Sequence, residues 1–178
     1  IFLSRPFISF FSTRIHTFLP TTTEINGSQL WAAATRVQPS YIRVEADEVT
    51  YPLHVILRYE IESQLINNSI KAEDIPALWD EKMQDYLGLS TAGNYHDGCL
   101  QDMHWSDGSF GYFPSYTIGA LNGAQLFAAI RRTYPDWQEK LAEGNVNFIR
   151  NWLREKVWIK GSTMDSQDII ESATGEST

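Results

Sequence analysis

Apolar positions along this chain recur three and four residues apart, with little of the alternation expected of half-buried strands. Residues 1–18 place Phe7, Phe10, Phe11, Ile15 and Phe18 on one helical stripe, which Pro20 ends. Ser28 can cap the short run QLWAAATRV, closed by Pro39. The longest candidate helix covers Ile42–Asn67, with Val49, Leu53, Ile56, Leu57, Ile61 and Leu65 as its apolar stripe. Pro52 removes a backbone donor there and should kink that helix or divide it in two.

The run AEDIPALWDEKMQDYLGLS reads more sharply. Glu73 or Asp74 caps its start, Pro76 lies in the first turn, and Gly88 ends it with a positive φ available. Residues 88–113 are irregular and rich in Gly, Asn, Asp and His. A loop of that length inside a compact domain is more often functional than idle. Helix resumes from Pro114 or Tyr116 through TIGALNGAQLFAAIRRTY, where Gly119, Ala120, Gly123 and Ala124 would let a neighbour approach closely. DWQEKLAEG, NVNFIRNWLREKVWIKG and DSQDIIESATG follow, each opened by Asp or Asn and closed by Gly. The pattern predicts an all-α, multi-helix region spanning 1–178, without repeats.

Composition supports that reading and narrows the partners. Of the 178 residues, 43% are hydrophobic, enough for a buried core, and the net charge is −8 with Lys and Arg scattered. Nucleic-acid backbones are held by clustered cations, so that class of partner is not expected. No apolar run reaches the length of a membrane span, and the start lacks the layout of a signal peptide. The single cysteine, Cys99, fits a reducing, cytoplasmic setting. The chain begins without Met, in mid-pattern, and reads as a fragment cut at both ends.

The chemistry gathers in GCLQDMHWSDGSFGYFPSY, residues 98–116. His104 is either a packed histidine in an aromatic loop or a donor to an oxygen that gains charge during a reaction. Asp102 can orient the loop and Trp105 walls it. Tyr112 and Tyr116 are neutral donors of the same kind, or simply packed aromatics with satisfied hydroxyls. Arg43 has two readings as well. It is an anion clamp whose fork matches a carboxylate, or it pairs with Asp47 four residues on, for a few tenths of a kcal/mol. The four histidines form no His-Glu-x-x-His pattern, so no metal ligand is assigned within this chain. A phosphate loop and a nucleophile elbow are also missing from the sequence.

Two stretches carry a family resemblance. IRVEAD, at Ile42–Asp47, resembles the Ile-Arg-x-x-Ala-Asp motif of the carboxypeptidase Taq family of zinc metallocarboxypeptidases. GCLQDMHW, at Gly98–Trp105, is similar to that family's Gly-x-x-Gln-Asp-x-His-Trp motif at every fixed position. EVTYPLHVILRYEIE, DIPALWDEKMQDYLG and GSFGYFPSYTIGAL resemble family sequence too, so the likeness covers nearly the whole chain. Pro52 and Asp107 depart from the usual pattern.

The resemblance implies a grooved, saddle-like helical peptidase, usually a homodimer, that removes single residues from peptides with a free C-terminal carboxylate. Its Zn²⁺ would be held by a His-Glu-x-x-His helix and a later glutamate, both expected upstream of Ile1, with none expected here. Arg43 would meet the substrate carboxylate. Gln101 and Asp102 join that substrate-binding wall, more by shaping the loop than by contact. His104 and either Tyr112 or Tyr116 would stabilise the oxyanion. A fragment with these groups and no metal motif is expected to be inactive alone. The competing reading is a non-catalytic helical binding or dimerisation module derived from the same family.

Overall fold

A computed structural model describes residues 1–19 and 24–178, and among these every regular element is helical. The chain divides into two compact units, Ile1–Arg36 with Ala120–Thr178, and Val37–Gly119. No described helix is long and apolar enough to cross a membrane.

In the first unit, α1 (Arg5–Phe18) packs on α2 (Gly27–Ala34) and on α6 (Trp137–Ala142). The C-terminal part of α5 (Pro114–Thr133) and α7 (Asn147–Leu153) supply most of its core: Ala129, Ile130, Phe148, Ile149 and Trp152, with Leu141 of α6. Helix α7 runs into a π-helical turn at Arg154–Trp158, and α8 (Ser166–Thr174) packs against that turn. The buried face of α1 is Ile8 and Ser12, while Phe18 is 80% exposed. The aromatic stripe read along α1 is therefore only partly a core face: Phe7 joins the core, and Phe11 and Phe18 face outward. The stop assigned to Pro20 lies outside the described residues.

The caps differ from expectation at α2. Asn26, not Ser28, accepts the Gln29 N–H, and the Gln29 side chain answers to the Asn26 N–H. That reciprocal box satisfies two otherwise unpaired donors and sets the helix start two residues earlier. The helix ends at Ala34, well before Pro39. Gly144, at the end of α6, holds φ +75° with the Phe10 ring seated where a Cβ would stand. Only glycine meets both demands without strain.

In the second unit, α3 (Tyr51–Ile66) packs against α4 (Ile75–Leu87) around Leu57, Ile61, Trp79, Met83 and Leu87. The expected helix over 42–67 is shorter. Arg43–Glu45 form a single 3₁₀ turn, and Ala46 then turns extended at φ −67°, ψ 144°. Asp47 starts the helix proper by accepting the N–H groups of Val49 and Thr50 and the Thr50 hydroxyl. Burial opposes ionisation of Asp47, but these donors hold its carboxyl down at about 2. Pro52 then lies in the first turn, where its missing N–H costs nothing, so it neither kinks nor splits the helix. Val49 and Ile56 fall outside the core. Helix α4 behaves as read, with Pro76 in its first turn and Gly88 at φ +69° as its stop. Asp74 turns its carboxylate back to the Lys71 N–H instead of capping α4.

Candidate functional site

The irregular segment between α4 and α5 is held against α3 by buried charge. Asp102 Oδ1 accepts from Arg43 Nε at 3.0 Å and Nη2 at 2.7 Å, and Oδ2 accepts from Arg58 Nε at 2.5 Å. One carboxylate thus joins the 3₁₀ turn, α3 and the loop. Burial pushes the Asp102 carboxyl up, but the Arg43 hydrogen bond and the Arg58 charge outweigh it and hold the group below the usual carboxylate range. Burial pulls Arg58 down to about 10, against the pull of Asp102, so it stays charged at neutral pH. Arg43 ends above its ordinary value, Asp102 overcoming its burial.

Arg43 therefore does not pair with Asp47. The extended Ala46 breaks the helical register that would have put the two on one face. Its remaining bonded donor, Nη1, meets the Tyr51 hydroxyl at 2.9 Å, and the Tyr116 ring lies 4.9 Å from the guanidinium carbon. Only 6% of the side chain is exposed. Each Nη retains one N–H not used in these bonds.

Gln101 ties the same segments through the backbone. Its Oε1 accepts the Arg43 N–H, and its Nε2 donates to the carbonyls of Tyr41, Asp97 and Gly98. Gln101 and Asp102 thus both bond the loop to the segment around Arg43.

His104 stands on the outer side of this framework. Its Nε2 lies 2.8 Å from the Tyr116 hydroxyl, and its ring stacks at a tilt over Phe113, 4.4 Å between centroids. Its Nδ1 is 3.9 Å from Asp102 Oδ1, beyond hydrogen-bonding range. Tyr112 packs its half-exposed ring 5.3 Å from that of Tyr116 and makes no side-chain hydrogen bond within the described residues. Met103, His104, Asp107, Ser109 and Tyr112 line an open cavity of about 210 Å³. The structure so brings together all six residues singled out in the sequence, and separates the two tyrosines by their bonding.

Three further residues support the site and escaped the sequence reading. Arg58 is wholly buried, donates to the His54 carbonyl and lies over the Trp79 ring at 4.4 Å. Glu62 accepts Trp105 Nε1 at 2.8 Å and the Gly111 N–H, pinning two points in the C-terminal half of the loop to α3. His54 is wholly buried beside the Ser40 backbone. Burial, helped by the Arg58 charge, pushes it down to about 4, so it is neutral near pH 7. His54, Arg58 and Glu62 recur every four residues along one face of α3, and that spacing was the available signal.

Among the described residues, no group of three or more His, Cys, Asp or Glu is placed to hold a metal ion. Burial raises the Cys99 thiol above its ordinary value, which keeps it protonated and unreactive.

The full chain, residues 1–178, matches the family model described as Carboxypeptidase Taq (M32) metallopeptidase. Carboxypeptidase 1 of Bacillus subtilis is 49% identical over 144 residues, which cover 81% of this chain and 28% of that protein. Thermostable carboxypeptidase 1 of Pyrococcus furiosus is 38% identical over 173 residues, covering 97% and 34%. Among solved structures, Trypanosoma cruzi metallocarboxypeptidase 1 superimposes with a TM-score of 0.93 at 41% identity, over 98% of this chain and 37% of that one. The Pyrococcus furiosus carboxypeptidase gives 0.94 at 37% identity, over 99% and 35%. The chain spans about a third of the length of the relatives it matches.

Proposed function

The chain belongs to the carboxypeptidase Taq family of metallopeptidases, and on that premise we propose that the protein carrying it releases single residues from peptides with a free C-terminal carboxylate. This chain supplies the substrate-facing wall. Among the described residues no zinc site is assembled, and in this reading the Zn²⁺ of the family, and the base that acts with it, are supplied by other parts of the full-length protein. Homodimerisation and a cytoplasmic setting are part of the same reading.

The observation that carries the proposal is the pairing of a cavity-lining histidine with a braced cation. His104, fixed by Tyr116 at 2.8 Å and by Phe113 beneath it, borders the open cavity. Arg43 stands beside the same Asp102 that His104 approaches. A peptide entering here would set its terminal carboxylate on the free Nη hydrogens of Arg43. Its scissile carbonyl would then lie toward His104. Tyr112 is the phenol we assign to the developing oxyanion, because its hydroxyl is unengaged, whereas the Tyr116 hydroxyl holds His104. Donors set in place before reaction stabilise developing charge without reorganising, and each is typically worth about 2.7–4 kcal/mol of barrier.

The test is an Arg43→Ala variant of the full-length protein, assayed on peptides with free and with amidated C-termini. Loss should be far greater on the free carboxylates, and equal losses on both would remove Arg43 from the clamp. The burial of Arg43 and its bonds to Asp102 and Tyr51 favour one other role, an internal brace in a non-catalytic helical module. Equal losses would support the bracing role of Arg43, and no cleavage of either peptide by the unsubstituted full-length protein would support the non-catalytic module.

A further inference from the structure

The cavity beside His104 contains a charge that the site does not otherwise use. Behind it, Arg43 and Arg58 stand against Asp102 and Glu62, so the buried framework is balanced in formal charge. Asp107 lies outside that balance. It lines the cavity with Met103, His104, Ser109 and Tyr112, and its carboxylate forms no ion pair or side-chain hydrogen bond among the described residues. Its backbone N–H is committed to the Met103 carbonyl, which closes the turn and fixes the residue at the cavity wall. The facing groups that titrate are His104 and Tyr112; no Lys or Arg lines the space.

The walls have a consistent chemistry. Met103 exposes 70% of its surface and Tyr112 half of its ring, so both present apolar area to whatever enters. At about 210 Å³ the space falls below the roughly 300–1,000 Å³ of sites that enclose whole small molecules. It suits one long side chain. An aliphatic stem along Met103 and Tyr112, ending in a cation at Asp107, satisfies every wall, with the aromatic face adding to the attraction.

We infer that Asp107 selects peptides with Lys or Arg next to the scissile bond, an inference that rests on the peptidase reading above. A neutral apolar side chain would use the same walls but leave the carboxylate without a partner. An acidic side chain would meet it head-on.

The experiment compares full-length protein with its Asp107→Asn and Asp107→Lys variants on matched peptides. The terminal and the penultimate residue are varied separately among Lys, Arg, Leu and Glu. In Asp107→Asn the ratio of kcat/KM for basic over neutral peptides should fall about two- to fivefold, as for an exposed ion pair. Asp107→Lys should push it lower still and favour Glu. Added salt should reduce the ratio in the unsubstituted protein and not in Asp107→Asn. Those changes at either position support the inference. Efficient cleavage with an unchanged ratio at both positions overturns it and leaves the peptidase reading intact. If the unsubstituted protein, loaded with Zn²⁺, cleaves none of the peptides, both fall together.

Discussion

The Arg58 guanidinium has no exposed surface, and its Nε lies 2.5 Å from Asp102, the same carboxylate that accepts two hydrogen bonds from Arg43. Neutralising that single acid would leave two buried cations facing one another. Asp102→Asn should therefore cost about 3–5 kcal/mol, the range seen when a buried ion pair loses one partner. The urea midpoint measures this, with the slope of the transition unchanged. A loss below about 1 kcal/mol would mean that water reaches the cluster and screens it, contrary to its burial.

A second expectation concerns acid. His54 titrates at its ordinary 6.5 when unfolded and at about 4 in the fold, so the unfolded chain binds its proton first. Its stabilising contribution is complete above about pH 6.5 and declines as pH falls through 4. The shift corresponds to on the order of 3 kcal/mol at most. Asp102, also depressed, acts with the same sign at lower pH. Unfolding free energies measured between pH 7 and 4 should fall, and His54→Leu should flatten that decline. Parallel slopes in the two proteins would show that the histidine is not responsible.

For His104, the proposed role predicts a loss confined to the chemical step. His104→Ala in the full-length protein should lower kcat by about 10²–10³, as for other oxyanion donors, with little change in KM. Tyr116→Phe keeps the ring and removes the hydroxyl that fixes His104, so it should lower kcat by a smaller factor. Steady-state kinetics separate the two parameters. A change in KM alone would make His104 a ground-state contact.

The helices were legible where punctuation and packing agree. Pro76 and Gly88 bracket α4 in the sequence as they do in space. Legibility failed where side chains rewrote the backbone locally. Asp47 looked like a helical partner for Arg43, yet its carboxylate gathers donors from the start of α3 and ends any continuous helix from Ile42. Asn26 overruled Ser28 because Gln29 could return the bond. In α1, aromatic spacing marked Phe11 and Phe18 as core, although burial falls on Ile8 and Ser12. Spacing states which residues share a face and not which face finds a neighbour.

The site was read more completely than its foundation. Arg43, Gln101, Asp102, His104, Tyr112 and Tyr116 carried recognisable patterns, whereas Arg58 and Glu62 lay beside an apolar stripe and drew no reading of their own. Their roles depend on contacts across more than forty residues of chain, as with Arg58 to Asp102 and Glu62 to Trp105. No local pattern encodes such a pairing.

The bonds of Gln101 give this position a narrow chemical identity. Its side chain accepts one N–H and shares its two amide hydrogens among three carbonyls, and a primary amide is the small group that does both. Deamidation to glutamate would alter the side chain by one heavy atom and turn every donation into a repulsion between oxygens. Chemical ageing at this residue would thus unfasten Tyr41 and Gly98 from each other and set a new negative charge beside the Arg43–Asp102 pair.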